Sequence, residues 1–222
     1  SWLVLDRTPA DAIGVAAAEP DSLVVMTTRG RGVASRGLLG SVTEEVVRTC
    51  VAPVLFVGPG IRAGWELADE PLVLAGLDGS TPSVAAAHAA GDLAASIGAR
   101  VRVVEVLRPS DILTVGEFPR GDLELLEVAA AELSRRGVPA DHEMVDGYDA
   151  ADTLANKAAA EHAAVISVAS HGRTGLARLV LGSIAMKTIR RAACPVLVTG
   201  PAVHRHETNG ATVRASGEEQ AT

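Results

Sequence analysis

Aromatic side chains are almost missing from this chain of 222 residues: two Phe, two Trp and one Tyr, 2% of the total. A core remains possible, because 48% of the residues are hydrophobic, but it must be built from Ala, Val and Leu instead of rings. Cysteine is scarce too. Cys50 and Cys194 stand three residues and one residue ahead of a proline, so they do not correspond to each other. Neither a disulfide framework nor a metal site is indicated, and both read as buried apolar thiols. No run approaches the ~18 apolar residues of a membrane span, and no signal peptide opens the sequence. A cytoplasmic protein without a membrane partner is therefore expected. Basic charge is also in deficit: the net charge of -7 repels phosphates, so no nucleic-acid partner is expected.

What the chain does have is a stretch that occurs twice. TTRGRGVASRGLLGSVTEEVVRTCVAPVLFVGP runs over 27–59, and ASHGRTGLARLVLGSIAMKTIRRAACPVLVTGP over 169–201. Aligned without gaps at an offset of 142, Ala16–Pro59 and Ala158–Pro201 share 16 of 44 residues, which indicates duplication. In each copy an apolar run enters a glycine-bearing loop that ends in Gly-Ser before a helix: Gly30 to Gly40-Ser41, and Gly172 to Gly182-Ser183. Glycines let backbone approach a ligand without a Cβ in the way. The free N–H groups of the helix's first turn, with the dipole behind them, attract an anion, and Ser183 is expected to cap that helix. Taken alone, Gly-Ser is as good a turn and cap as it is a phosphate cradle.

Around the second copy, apolar runs alternate with helical patterns, which implies a parallel sheet with helices on both faces. Strands are expected at 72–77, 101–107, 142–145, 165–168 and 196–199, with helices after Ser80 or Thr81, from about Leu123 to Arg135, over 152–161 and after Gly182. The segment 108–122 reads as a surface loop. In the first copy, SWLVL at 1–5 takes the place of a third strand whose neighbours would lie before residue 1.

The spacing from Ala169 and Gly172 to Gly182-Ser183, with Pro195-Val196-Leu197-Val198 thirteen residues beyond Gly182, resembles the universal stress protein family. So does PLVLAGLDGSTPS at 71–83. The family's first motif glycine is Ala169 in the second copy and Thr27 in the first. This resemblance implies a C-terminal half domain over 1–60, a linker over 61–70, a complete domain over 71–201 and a disordered tail over 202–222. The implied fold is a doubly wound parallel five-stranded α/β sheet of order 3-2-1-4-5, with helices on both faces, preceded by the half copy. The implied ligand is ATP, with a place for Mg²⁺ at Asp78, in a regulatory module that is not an enzyme. Its contacts would be Gly76, Leu77, Asp78, Val106, Asp111, Val168, Ala169, His171, Gly172, Arg173, Gly175, Gly182, Ser183 and Ile184, with Gly30, Gly40 and Ser41 as counterparts in the first copy. As residues alone, Asp78-Gly79-Ser80 is equally good turn chemistry, Val106 a core valine, Asp111 a solvated loop acid and His171 a loop residue. The family also implies association through the PVLFV and PVLVT edge strands, within the chain or as a homodimer. A non-binding interaction protein of the same fold is the competing reading.

Overall fold

The structure, a computed structural model, describes residues 7–19, 21–28, 40–61, 64–107, 120–172 and 181–203. The first copy supplies α1 (Pro9–Ala16), β1 (Val24–Thr27), α2 (Ser41–Thr49) and β2 (Val54–Val57). Then follow β3 (Leu72–Gly76), α3 (Thr81–Ile97), β4 (Arg100–Leu107), α4 (Arg120–Arg135), β5 (Ala140–Asp146), α5 (Ala150–Ala160), β6 (Val165–Ala169), α6 (Ser183–Arg191) and β7 (Val196–Thr199). The expected SWLVL strand, the loop bearing Asp111, Gly30, Arg173, Gly175 and the tail from 204 lie outside the described residues. The first two residues of the expected tail, Ala202 and Val203, are instead buried in a helical turn.

The inner strands β3, β6 and β7, apolar on both faces, are sandwiched between two helical layers. In β3, Leu72 and Leu74 join the core under α1, α2, α5 and α6, while Val73 and Ala75 face the alanines of α3 and Leu126 and Leu133 of α4. Local chemistry sets the helix ends. Ser80 caps α3 through the amide of Ser83, Pro82 sits in the first turn where its missing N–H costs nothing, and Gly98 terminates the helix at φ 67. The buried Ser167 donates from Oγ to the Ala86 carbonyl at 2.8 Å, fastening α3 over β6. Neither cysteine forms a disulfide and both are buried. Among the described residues, no helix is long and apolar enough to cross a membrane.

The seven strands among the described residues form one sheet, in the order β1-β2-β7-β6-β3-β4-β5. Its last five members, β7-β6-β3-β4-β5, carry the 3-2-1-4-5 order of a doubly wound domain read from the other end. The difference from the expected five-stranded sheet is that the half copy continues the same sheet. The continuation runs through an antiparallel pairing of β2 with β7, Val54 with Val198, Leu55 with Leu197 and Phe56 with Val196, which satisfies two strand edges at once. Leu55 and Leu197 are equivalents in the repeat, so a local two-fold axis passes between them. The glycines beyond the strands obey the same symmetry. A Cβ on Gly58 would collide with the Ile189 carbonyl, and one on Gly200 with that of Val47; Val47 and Ile189 are again 142 residues apart. Each half thus lays a bare backbone against the other's helix. Trp65, in the connection, packs half-buried on the core shared by the two halves.

Candidate functional site

The parallel pairing of β3 with β6, Val73 with Val165 through Ala75 with Ser167, sends two chains out of the sheet side by side at their carboxyl ends. The helix after β3 covers one face and the helix after β6 the other, the switch-point arrangement where doubly wound sheets hold ligands. From β3 come Gly76, Leu77 and Asp78; from β6 come Val168, Ala169, His171 and Gly172. Ala169 ends β6 in extended backbone, so this position makes no demand for positive φ that alanine would fail to meet.

Asp78 is held by a short polar network. Its Oδ1 accepts from the Ser80 amide at 3.1 Å and from Ser80 Oγ at 2.6 Å. The amide of Asp78 donates to the buried Ser83 Oγ at 3.2 Å, and that hydroxyl donates to the Ser80 carbonyl at 2.7 Å. The other carboxylate oxygen faces Gly172 so closely that a Cβ there would strike it. Gly182 donates its N–H to the Ser170 carbonyl at 2.7 Å, which draws the start of α6 onto the same strand end. Asp78, Gly172 and the first turn of α6 therefore converge.

The capping expectation is corrected here. Gly182 itself is the N-cap, extended at φ -55 and ψ 151 with no side-chain cap, and Ser183 is the first helical residue. The bond to Ser170 pins Gly182 at the strand end in the cap position, so the helix begins directly after it, as expected, with Ser183 inside the first turn. Ser183 and Ile184 are exposed on that first turn. His171 is half-buried, with Nδ1 3.1 Å from the Ser170 hydroxyl. Leu77 and Val168 are core side chains, and a Cβ on Gly76 would press on the tip of Leu154 at 3.0 Å. Val106, half-buried near the end of β4, lies one strand over from β3. In the first copy Gly40 caps α2 and Ser41 begins it, but β1 starts the sheet order. Among the described residues no strand with an Asp78-like turn adjoins it. The same residues contain no cluster of three or more His, Cys, Asp or Glu side chains that could hold a metal ion.

Two ion-pair groups that the sequence does not announce stiffen the flank. Lys187 of α6 reaches Asp149 and Asp152 of the α5 start, each at 2.8 Å. The hydrogen bond from Lys187, aided by backbone amides, holds the Asp149 carboxyl below its ordinary range, and the same contacts raise Lys187. Arg102 grips Asp141 with two bonds, at 2.6 and 2.7 Å, and that grip holds the Asp141 carboxyl down. Lys157 is pulled down by burial, but its hydrogen bonds to Glu143 and Glu161 outweigh this and raise it. The partners of Lys187, 35 and 38 residues away, and of Arg102, 39 residues away in Asp141, leave no local spacing signal; of these pairs only Lys157 and Glu161, four apart, have helical spacing. The Asp78 clamp, by contrast, was readable as Asx-turn chemistry in D-G-S-T-P-S.

The fold and crevice define a doubly wound α/β domain with a glycine-lined, helix-started site at its switch point, joined edge to edge with half of a second one. A model described as the universal stress protein family matches residues 2–58 and 72–200, and the chain belongs to that family. It is 33% identical over 186 residues to a universal stress protein of Mycobacterium tuberculosis, covering 79% of this chain and 61% of that one. A universal stress protein of Methanocaldococcus jannaschii is 32% identical over 131 residues, 54% of this chain and 76% of the relative. A solved universal stress protein from Archaeoglobus fulgidus superposes with a TM-score of 0.58 at 21% identity, over 86% of this chain and 65% of that one, a likeness of fold. The chain spans about three fifths of the length of the Mycobacterium tuberculosis relative.

Proposed function

We propose that the crevice of the second copy binds an adenine nucleotide, ATP with Mg²⁺, and that the protein acts as a nucleotide-dependent regulatory module without turnover. The observation that carries this reading is the meeting of Asp78 with Gly172, too close for a Cβ, at the strand ends where α6 begins. Amides at the α6 start and its dipole suit phosphates. A carboxylate suits a magnesium ion that is otherwise bound by phosphates and water. Val106 offers an apolar contact for the base. What favours the second reading, a module that associates without a nucleotide, is that Ser80 already occupies one oxygen of Asp78.

Calorimetric titration with ATP and Mg²⁺ separates the two. Ser183→Glu is the informative variant, because an exposed acid at the first helical position suits the dipole and leaves folding intact while repelling phosphate. The expected result is binding by the wild type and at least about tenfold weaker binding by the variant, roughly 1.4 kcal/mol. Equal affinity would mean that phosphates do not sit at α6, and no binding by the wild type would leave the association reading standing.

A further inference from the structure

The sheet face under α5 is closed along most of β4 and opens near the carboxyl ends of β4 and β5. Val104 is 1% exposed, whereas Val106, the next residue along on the same face, is half-buried, and so is its β5 partner Val145. The two valines form an apolar ledge that begins one strand over from the β3 exit, where Leu77 gives way to Asp78. Beyond the ledge comes the turn Asp146-Gly147-Tyr148-Asp149 into α5. Tyr148 is the one tyrosine of the chain, and it is 88% exposed.

The ring carries little packing, yet the turn beneath it is firmly held. The Gly147 amide donates to the carbonyl of Leu107, the last residue of β4, at 2.9 Å. A Cβ on Gly147 would collide with the Thr153 hydroxyl of α5, and that hydroxyl is itself fixed by donating to the Asp149 carbonyl at 2.8 Å. Asp149 caps α5 by accepting from the Asp152 amide at 3.0 Å, and it pairs with Lys187 of α6 at 2.8 Å. Lys187 stands four residues past Ser183, about one helical turn. The backbone at Tyr148 is thus tied to β4 on one side and to α6, the helix proposed to hold the phosphates, on the other.

We propose that Tyr148 is the base-selecting contact of the crevice, its ring lying against the purine of the bound nucleotide at the outer end of the Val106–Val145 ledge. This rests on the nucleotide reading and adds to it the group that chooses the base. With phosphates at the start of α6 one end of the ligand is fixed, and β5 lies two strand spacings, about 10 Å, from β3, so the base and not the ribose reaches the ledge. Valines alone contact any base. An aromatic ring favours the larger π-face of a purine over that of a pyrimidine, and tyrosine provides it at small entropic cost because two χ angles are ordered. Stacking of a base on an aromatic side chain is strong enough to separate affinities by about tenfold.

The test uses the full chain with an isotope-labelled tyrosine ring, which gives the signals of Tyr148 alone. ATP with Mg²⁺ should shift those signals and give nuclear Overhauser contacts from the ring to the base protons. Inorganic tripolyphosphate with Mg²⁺ should move the Ser183 amide and leave the ring signals in place. By calorimetry the wild type should bind ATP about tenfold more tightly than CTP. Tyr148→Phe should keep that preference, and Tyr148→Ala should abolish it without changing tripolyphosphate affinity; the exposure of the side chain makes both variants neutral for folding. If ATP moves the Ser183 amide but not the Tyr148 ring, or if Tyr148→Ala keeps the wild-type preference, the base lies elsewhere, so this proposal falls and the nucleotide reading stands. If ATP moves neither signal, both fall.

Discussion

Gly172 and Gly182 look interchangeable in the sequence, and the structure separates them by what a methyl group would meet. Neither is among the glycines at positive φ, which are Gly64, Gly79, Gly98 and Gly137, so space and not backbone freedom explains both. At Gly172 the obstacle is the tip of Asp78, a side chain that can rotate. At Gly182 it is the Ser170 carbonyl at 2.8 Å, fixed because the Ser170 amide is bonded to Thr199. Gly172→Ala should therefore keep stability within about 1 kcal/mol while displacing Asp78 and weakening nucleotide binding. Gly182→Ala should cost about 1–3 kcal/mol of stability, since backbone must move. Urea denaturation beside ATP titration checks both. Equal stability loss in the two variants would mean that the Asp78 turn is as rigid as the strand end.

Between elements, the tie of α6 to the α5 start is electrostatic and so depends on pH. Asp149 sits below its ordinary value of 3.8, so its pairing contributes stability above that value and loses it as pH falls through the depressed one. Lys187 is raised from 10.5, so its contribution is complete below that value and is lost as pH rises through the raised one. Lys187→Met should thus lower stability by a constant amount between about pH 5 and pH 9, with the gap to wild type closing on both sides. Denaturation midpoints across that range test it, and a gap that does not depend on pH would assign the loss to packing. The groups are exposed, so the effect is small. Elements of this kind divide by how local their causes are. The strands were readable because continuous apolar runs such as Leu72–Gly76 fit only a doubly covered sheet, and α3 because Ser80, Pro82 and Gly98 mark its ends. The convergence at Asp78 and Gly172 was readable through the family pattern and the switch-point rule. The start of α6 after Gly182 was readable, but its cap was not: Gly182 takes the place expected of Ser183, because the bond from Gly182 to Ser170 is tertiary. The roles of Gly58 and Gly200, and the bridges of Lys187 and Arg102, rest on contacts between distant segments and left no mark in local spacing.

At the scale of the whole molecule the two-fold relation is good at the β2–β7 junction and fails away from it. β1 with β2 repeats the register of β6 with β7, Val24 on Val54 matching Ile166 on Val196, and α2 and α6 start alike after Gly40 and Gly182. Only β6 has β3 beside it, and with β3 come Asp78, the Ser80 and Ser83 clamp and the turn into α3. A Cβ on Gly172 would meet Asp78 and one on Gly182 the strand end, whereas a Cβ on Gly40 would meet nothing within 4 Å. The first copy thus keeps the helix start of a site without the opposing wall. A helix start by itself supplies amides and a dipole, worth about 0.3–1 kcal/mol toward an exposed anion, far short of the roughly 8 kcal/mol of micromolar binding. Each chain should therefore bind one nucleotide. Equilibrium dialysis at saturating ATP and Mg²⁺ gives the count directly, and Gly40→Val should leave it unchanged. Two equivalent sites per chain, with one lost in the Gly40→Val variant, would show that the first copy's wall is supplied from elsewhere and that the asymmetry of the described strands does not limit binding.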